Sequence, residues 1–241
     1  MKDTMARRVV LITHDDGPKD DRVSARLAAL GYDLDWRQPN RGDELGEPDG
    51  GVAATVLYGG GDPDDARDWH SNRFPFIAAE TAWVRACMAK RIPTLGICLG
   101  GGIVSHALGA AIGPPDHGLH DFGYYPLIVT EQGRGEIPDG LVVTQAHYHG
   151  FDLPDGALLL AASASYPVQA YRHGENTYAL QFHPEVTPAG FRRWQDGPWA
   201  PWGKPGVQSR EEQDALCAAH DAAQAEWIEG FIDRLMVDGA R

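Results

Sequence analysis

One cysteine in this sequence lies where a nucleophile could act. Residues 96–101 read Gly-Ile-Cys-Leu-Gly-Gly, so a short apolar run leads through Cys98 directly into a glycine-rich turn. A cysteine between a buried strand and a helix is exposed at the edge of a sheet, where the positive end of the helix favours the thiolate. The pattern predicts a nucleophilic Cys98, with a buried structural cysteine as the alternative. Cys87 and Cys217 lack this context and are predicted to be structural.

A cysteine nucleophile needs a base and a group that orients the base. Of the ten histidines, His183 has a suitable local context: residues 178–185 read Tyr-Ala-Leu-Gln-Phe-His-Pro-Glu. An apolar strand would end near His183, and alternate residues of an extended segment point the same way, so Glu185 could hold the imidazole. A bare His-x-Glu triplet is a weak signal, because such triplets are common by chance. Its value comes from its pairing with the turn at Cys98.

The elements that would position these residues alternate between strand and helix. The predicted strands are 9–13, 32–36, 53–58 and 93–97, and the predicted helices are 22–30, 76–89 and 100–108. This alternation predicts an α/β fold with a doubly wound, mostly parallel sheet.

The second half of the chain has a different pattern. Short strands are predicted at 124–129, 141–144, 157–162, 168–172 and 178–182, with hairpin turns at 154–156 and 173–176. We expect these to be antiparallel strands added to the same sheet. A loop rich in Trp, Pro and Gly at 194–205 precedes a final helix at 211–236. The whole chain, 1–241, is therefore predicted to be a single domain with a C-terminal loop and helix extension at about 190–241.

The overall composition limits the partners. The 241 residues include 34 acidic and 21 basic side chains, for a formal charge of −13. This balance argues against nucleic acid and against an anionic membrane surface as partners. No apolar run is long enough to span a bilayer, and the charged start does not resemble a signal peptide. Three scattered cysteines predict reduced thiols and a cytoplasmic location.

The segments 96–100 and 181–185 together resemble the class I (triad) glutamine amidotransferases, and within them the stand-alone proteins similar to GMP synthase. The resemblance extends over residues 9–186 and includes Tyr-Gly-Gly-Gly-Asp-Pro at 58–63 and Asp-Phe-Gly-Tyr-Tyr-Pro at 121–126. It implies a flavodoxin-like fold and hydrolysis of the glutamine side-chain amide through a cysteinyl thioester. In that reaction Cys98 is the nucleophile, His183 the base and Glu185 the orienting carboxylate.

The resemblance also implies a set of site residues, with no metal and no cofactor. The backbone N–H of Leu99 would be one oxyanion donor, and the loop at Gly59 and Gly60 would supply the other, with the choice between the two left open. Substrate-binding positions are predicted at Gly102, Asp121, Gly123, Tyr124 and His147.

Two departures from the family pattern bear on the substrate. Many relatives have a glutamine where this chain has Gly102, which predicts weaker recognition of free glutamine. The sequence also has no phosphate-binding glycine motif, so an ammonia acceptor would lie on a separate synthase partner. The alternatives are a γ-glutamyl peptidase or hydrolase with the same triad, or a catalytically silent binding module.

Three further clusters have ambiguous signals. The stretch 116–121, which contains His117 and His120, resembles a metal patch but lacks a clearly spaced third ligand. The segment 14–17, His-Asp-Asp-Gly, falls at the ligand-binding edge of the predicted sheet and could equally cap a helix. The tryptophan-rich segment 194–202 could be a partner surface, a lid or a packed aromatic corner.

Overall fold

A computed structural model describes residues 7–60 and 74–238. The helices are α1 Arg22–Ala29, α2 Pro75–Ala89, α3 Leu99–Ala107, α4 Pro188–Asp196 and α5 Arg210–Asp238, and Pro39–Arg41 form a short 3₁₀ helix. The strands are β1 Arg8–Ile12, β2 Asp33–Arg37, β3 Val52–Leu57, β4 Thr94–Ile97, β5 Ile112–Gly113, β6 Asp121–Pro126, β7 Ile128–Val129, β8 Val142–His147, β9 Gly150–Phe151, β10 Ala157–Ala162, β11 Ala170–His173 and β12 Thr177–Leu180. The expected glycine-rich loop at 58–63 falls partly outside the described residues, since only its first three positions are included.

The main sheet has eight strands in the order β2-β1-β3-β4-β12-β11-β10-β7. The first five run parallel, and β11, β10 and β7 continue the sheet in antiparallel fashion. The order of the parallel strands is the flavodoxin-like one. The predicted α/β class, the mostly parallel sheet and the added antiparallel strands are confirmed.

The early elements form for local reasons that the sequence shows. The Asp21 carboxylate caps α1 by accepting from the Ser24 N–H, and Val23 and Leu27 on its apolar stripe are buried. Gly31, with φ of 84°, follows the last turn of α1 in the left-handed conformation that glycine favours. Strand β3 is buried along its whole length, as its run of apolar residues predicts.

One expectation for the second half is wrong. Strands β6 and β8 form a separate two-stranded sheet, and β5 and β9 form another, so the added strands do not all join the main sheet. Phe122 and Tyr124 of β6 instead pack against Val186, which precedes α4, and against Phe191 of α4. Consequently the turn at 154–156 is not a hairpin, because β9 and β10 belong to different sheets. The turn at 173–176 does join the antiparallel pair β11 and β12.

The C-terminal part covers the core. Helix α4 runs through Trp194, so the irregular segment begins at Gly197 and not at the expected position 194. Helix α5 contributes Trp227, Ile228 and Phe231 to the main hydrophobic core. Within the described residues, no helix is both long and apolar enough to cross a membrane. The division into one domain with an extension stays a prediction.

The close packing of α3 on the sheet can be tested with two helical glycines. A Cβ at Gly100 would overlap the Leu57 carbonyl of β3, whereas at Gly230 in α5 it would meet only the end of the Arg234 side chain at 3.6 Å. We expect Gly100→Ala to lower the free energy of unfolding by about 3 kcal/mol or more. The control Gly230→Ala should raise it by about 0.5–1 kcal/mol. Urea denaturation of both variants measures the difference, and equal effects would contradict the packing described here.

Candidate active site

Cys98 occupies a strained turn between β4 and α3. Its backbone has φ of 52° and ψ of −108°, and among the described non-glycine residues it shares positive φ only with Arg91. The Cys98 N–H donates to the Leu180 carbonyl at 2.7 Å, and its carbonyl accepts from Gly102 at 2.9 Å. These bonds hold a conformation that an L-residue rarely adopts. The sequence expectation of a sharp strand-to-helix turn at Cys98 is confirmed.

His183 and Glu185 lie beside Cys98 at the same edge of the sheet. The chain leaves β12 at Leu180, and the His183 N–H donates to the Thr144 carbonyl at 2.8 Å. The His183 Nδ1 lies 2.8 Å from Glu185 Oε1, and both residues are buried. Because Nδ1 faces the carboxylate, Nε2 is the ring nitrogen left for the Cys98 sulfur, which lies close enough to help raise the pKa of His183. The three side chains therefore form a connected row.

The charge environment favours a protonated imidazole. Burial lowers the pKa of His183, but the Glu185 carboxylate and the sulfur of Cys98 outweigh it and raise the pKa to about 10. The geometry can thus stabilise an imidazolium next to a thiolate, which is the ion pair that a cysteine nucleophile requires.

Helix α1 fixes the position of the segment that carries His183. The Arg22 N–H donates to the Glu185 carbonyl at 2.8 Å, and the Arg22 guanidinium donates to the carbonyls of Pro184 and Val186. The guanidinium also binds the Asp221 carboxylate of α5 at 2.6 Å. The Trp194 ring packs edge-on to the His183 ring, with centroids 4.8 Å apart. The sequence offered no signal for this bracing, because the partners are far apart in the chain.

The loop after β3 approaches both reacting side chains. A Cβ at Gly59 would lie 2.7 Å from His183 Cε1 and 3.4 Å from Cys98 Cβ, so only glycine fits there without displacement. Gly60 has φ of 126°. Leu99, the first residue of α3, directly follows the nucleophile. Gly59, Gly60 and Leu99 therefore line the same cavity as Cys98, and their role as oxyanion donors stays a prediction.

A cavity of about 870 Å³ opens over these residues. Its lining combines Cys98, Leu99, His183 and Glu185 with aromatic and charged side chains, among them Trp36, Tyr58, Phe74, Trp194, Trp199, Lys19, Asp20, Asp21 and Arg193. The Arg193 guanidinium forms an ion pair with Asp20 at 2.6 Å. Within the tryptophan-rich segment, Trp194 and Trp199 both line the cavity and pack against each other, and Trp199 is 45% exposed.

The predicted substrate-binding positions lie apart from this lining. None of the five positions predicted to bind substrate is among the described residues that line the cavity. Gly102 is buried in the first turn of α3, and Tyr124 packs against Phe191. Gly123, with φ of 143°, lies against the Gln208 side chain, which explains the glycine by packing. Their roles in binding stay predictions.

Asp121 and His147 face each other across β6 and β8, with 4.0 Å between Oδ2 and Nε2. Burial raises the pKa of Asp121 to about 6. Burial, followed by the nearby His183 charge, lowers the pKa of His147 to about 3. His147 is therefore uncharged at neutral pH, and the contact is not an ion pair. The roles of Asp121 and His147 in substrate binding also stay predictions.

The remaining candidate residues have structural explanations. Burial raises the pKa of the Cys87 thiol to about 12, which keeps that thiol unreactive. His117 bonds the Ser165 carbonyl and His120 stacks on Tyr148. Across the part of the chain that the structure describes, no group of three or more His, Cys, Asp or Glu side chains is placed to hold a metal.

The segment 14–17 does not cap a helix, because Asp21 caps α1. Instead His14 and Asp15 line the cavity, and His14 pairs with Glu80 of α2, which sequence reasoning missed. A signal was available: Glu80 lies on the same helical stripe as Ile77, Val84 and Cys87, where a solvated carboxylate is not expected.

Known proteins of one functional class resemble this chain in sequence. A family model described as glutamine amidotransferase class-I matches residues 23–193. The glutamine amidotransferase-like protein YfeJ of Salmonella typhimurium is 30% identical over 164 residues, which are 65% of this chain and 66% of YfeJ. The glutamine-hydrolyzing GMP synthase of Neisseria gonorrhoeae is 35% identical over 103 residues, which are 40% of this chain and only 19% of the synthase.

Two solved structures share the fold. A glutamine amidotransferase from Thermotoga maritima superposes with a TM-score of 0.82 at 24% identity, covering 96% of this chain and 98% of that one. A glutamine amidotransferase from Methylobacillus flagellatus gives a TM-score of 0.84 at 21% identity, covering 96% and 95% of the two chains.

The contact between His183 and Glu185 has a measurable consequence for pH dependence. We expect Glu185→Gln to lower the pKa of His183 from about 10, because the carboxylate that favours the imidazolium is gone. The stabilisation from this contact is complete below the ordinary pKa of 6.5 and is lost as pH rises through about 10. Compared with the wild-type protein, Glu185→Gln should therefore lose the most free energy of unfolding in mildly acidic solution and the least in alkali. NMR titration of His183 and denaturation at several pH values measure both effects.

Glu226→Gln provides the matched control, since Glu226 is exposed on α5 and lacks contact with His183. An unchanged pKa of His183 in Glu185→Gln would show that the carboxylate does not govern the imidazole.

Proposed function

Because this chain belongs to the class I glutamine amidotransferase family, we propose that it hydrolyses the side-chain amide of glutamine. The observation that carries the proposal is the connected row of Cys98, His183 and Glu185 at the floor of the cavity. A nucleophile, a base and an orienting carboxylate in contact are what nucleophilic acyl transfer requires.

The reaction would run in two halves. The Cys98 sulfur attacks the γ-carbonyl carbon, and the proton displaced from the thiol resides on His183. The C–N bond then breaks, His183 protonates the leaving nitrogen, and ammonia departs to leave a γ-glutamyl thioester. Water, deprotonated by His183, attacks the thioester carbon. The C–S bond breaks, glutamate leaves and Cys98 is regenerated with its proton.

Negative charge develops on the carbonyl oxygen in each half. Leu99 begins α3, so its N–H is not used by the helix ladder and the positive end of the helix lies beside it. We assign it as one oxyanion donor, with the Gly59–Gly60 loop supplying the other. The His183 imidazolium, held by Glu185, is a further source of positive charge.

A second candidate is hydrolysis of a larger γ-glutamyl compound by the same triad. The cavity of about 870 Å³ exceeds what a single amino acid fills, and aromatic side chains line it. Gly102 also lacks the side chain expected to assist glutamine binding. Glutamate release measured with glutamine and with γ-glutamyl peptides at matched concentrations separates the two candidates.

The fate of the ammonia is part of the proposal. The relatives named as GMP synthases are several times longer than the matched region, so a separate synthase partner is the proposed acceptor. The net charge of −13 disfavours nucleic acid as a partner. We propose the cytoplasm as the location, because all three cysteines are free and a nucleophilic thiol must stay reduced.

Replacement of the nucleophile tests the proposal directly. We expect Cys98→Ala to lower the rate of glutamate release by a factor of about 10⁵–10⁶, since the triad acts as a unit. Cys217→Ala serves as the matched control, because Cys217 is a free cysteine in α5 outside the cavity, and should leave the rate within about twofold. Steady-state assays on folded variants decide the matter. A Cys98→Ala protein that retains a tenth of the activity would refute the assignment.

A further inference from the structure

A second histidine–carboxylate pair lies beside the cavity and takes no part in the reaction as described above. His14 follows β1, and its Nε2 lies 3.0 and 3.1 Å from the two carboxylate oxygens of Glu80. Both side chains are almost completely buried, at 1% and 0% exposure. Burying a carboxylate within the apolar stripe of α2 costs free energy, so we look for a specific function of this pair.

The other nitrogen of the His14 ring faces the oxyanion loop. His14 Nδ1 lies 3.2 Å from the Gly59 carbonyl oxygen. That oxygen can only accept, so Nδ1 must carry a hydrogen for the contact to be favourable. The Glu80 carboxylate takes up Nε2 and fixes the orientation of the ring, so that Nδ1–H is directed at the Gly59 carbonyl.

The backbone at 59–60 runs between this pair and the triad. A Cβ at Gly60 would lie 2.9 Å from His14 Cβ, whereas one at Gly59 would touch His183 and Cys98. The C=O and N–H of a trans peptide point in opposite directions. A Gly59 carbonyl turned towards His14 therefore turns the Gly60 N–H away from His14, to the side where the reacting groups lie.

His14 itself is held firmly. Its carbonyl accepts from the Asn40 side chain at 2.8 Å, and its ring packs against Phe76 with centroids 5.5 Å apart. Burial is the largest single influence on the pKa of His14 and lowers it, but Glu80, the Gly59 carbonyl and the Asp15 charge outweigh burial and raise the pKa. The ring cannot turn away from Gly59 without breaking buried contacts.

We propose that His14 and Glu80 are positioning residues that fix the Gly59–Gly60 peptide so that the Gly60 N–H is the second oxyanion donor. The proposal rests on the amide hydrolysis assigned to Cys98. It also decides between the two glycines that the sequence leaves equivalent.

Two substitutions at position 14 separate the contacts. The Gln side chain places its amide near the former Nε2, so His14→Gln keeps a partner for Glu80 and loses the donor to Gly59. The Asn side chain places its amide near the former Nδ1, so His14→Asn keeps that donor. We expect His14→Gln to lower kcat about 10- to 100-fold with KM nearly unchanged, below the loss for deleting an oxyanion donor outright. His14→Asn should recover a substantial part of that loss.

A second readout separates positioning from general damage. Alkylation of Cys98 by iodoacetamide displaces iodide at a saturated carbon and develops no oxyanion. His14→Gln should therefore alkylate Cys98 at the wild-type rate while its amide hydrolysis is slow. Equal losses in both reactions would show that the pair supports the nucleophile or the fold, and would overturn the proposal. So would a His14→Gln enzyme with kcat within about twofold of wild type.

A measurement on the unmodified protein covers the case in which His14→Gln does not fold. Glutamate γ-semialdehyde accepts the Cys98 sulfur at its aldehyde carbon, and the former carbonyl oxygen becomes the oxygen of a tetrahedral adduct. The Gly60 amide proton should move downfield in the NMR spectrum of this adduct; a shift at Gly59 with none at Gly60 would overturn the assignment. A wild-type protein that hydrolyses neither glutamine nor γ-glutamyl peptides would refute the proposed function and this inference with it. An active wild type with an unaffected His14→Gln refutes the inference alone.

Discussion

The sharp reversal of the backbone at Cys98 is the constraint on which the site depends. A positive φ at a non-glycine residue costs free energy, of the order of 1–3 kcal/mol, and persists only where its surroundings impose it. Here the parallel strands β3, β4 and β12 supply the surroundings, because Leu180 accepts from the Cys98 N–H and Leu57 presses on Gly100. The turn exposes the sulfur at the carboxyl edge of the sheet, where β12 also delivers His183. The strain at one residue therefore connects the packing of the sheet with the chemistry at its edge.

The electrostatics of the site follow from that placement. Burial alone would discharge His183, yet the contacts with Glu185 and Cys98 reverse this effect. On the other side of the loop, the His14–Glu80 pair repeats the histidine–carboxylate motif with a different target, the Gly59 carbonyl. One pair would govern the proton at the nucleophile, and the other would govern the direction of a backbone N–H. The Gly59–Gly60 peptide lies between them, and the absence of side chains there is what allows both pairs to approach it.

The sequence predicts the first half of the fold well because its signals are local: apolar strands, amphipathic helices and glycine at the turns give β1 to α3 within one or two residues. It also singles out Cys98, His183 and Glu185, because the turn at Cys98 and the His-Pro-Glu segment each follow an apolar strand; their catalytic roles stay a proposal. It misplaces β6 and β8, since alternation shows that a strand forms but not which strand pairs with it. Glu80 was overlooked because a single glutamate in a helix is usually solvated, and only its position on the buried stripe indicates otherwise. The choice between Gly59 and Gly60 depends on the orientation of one peptide plane, which no residue type encodes.

The most direct test of the account is the site of covalent modification by a diazoketone analogue of glutamine. The reagent needs the glutamine-binding cavity and an activated thiol together, so it reports on binding and on nucleophilicity at once. Peptide mapping by mass spectrometry should find the adduct on Cys98 and leave Cys87 and Cys217 unmodified, and excess glutamine should slow the labelling. Labelling of Cys87 or Cys217 in preference to Cys98, or no labelling of a folded protein that releases glutamate from glutamine, would contradict it.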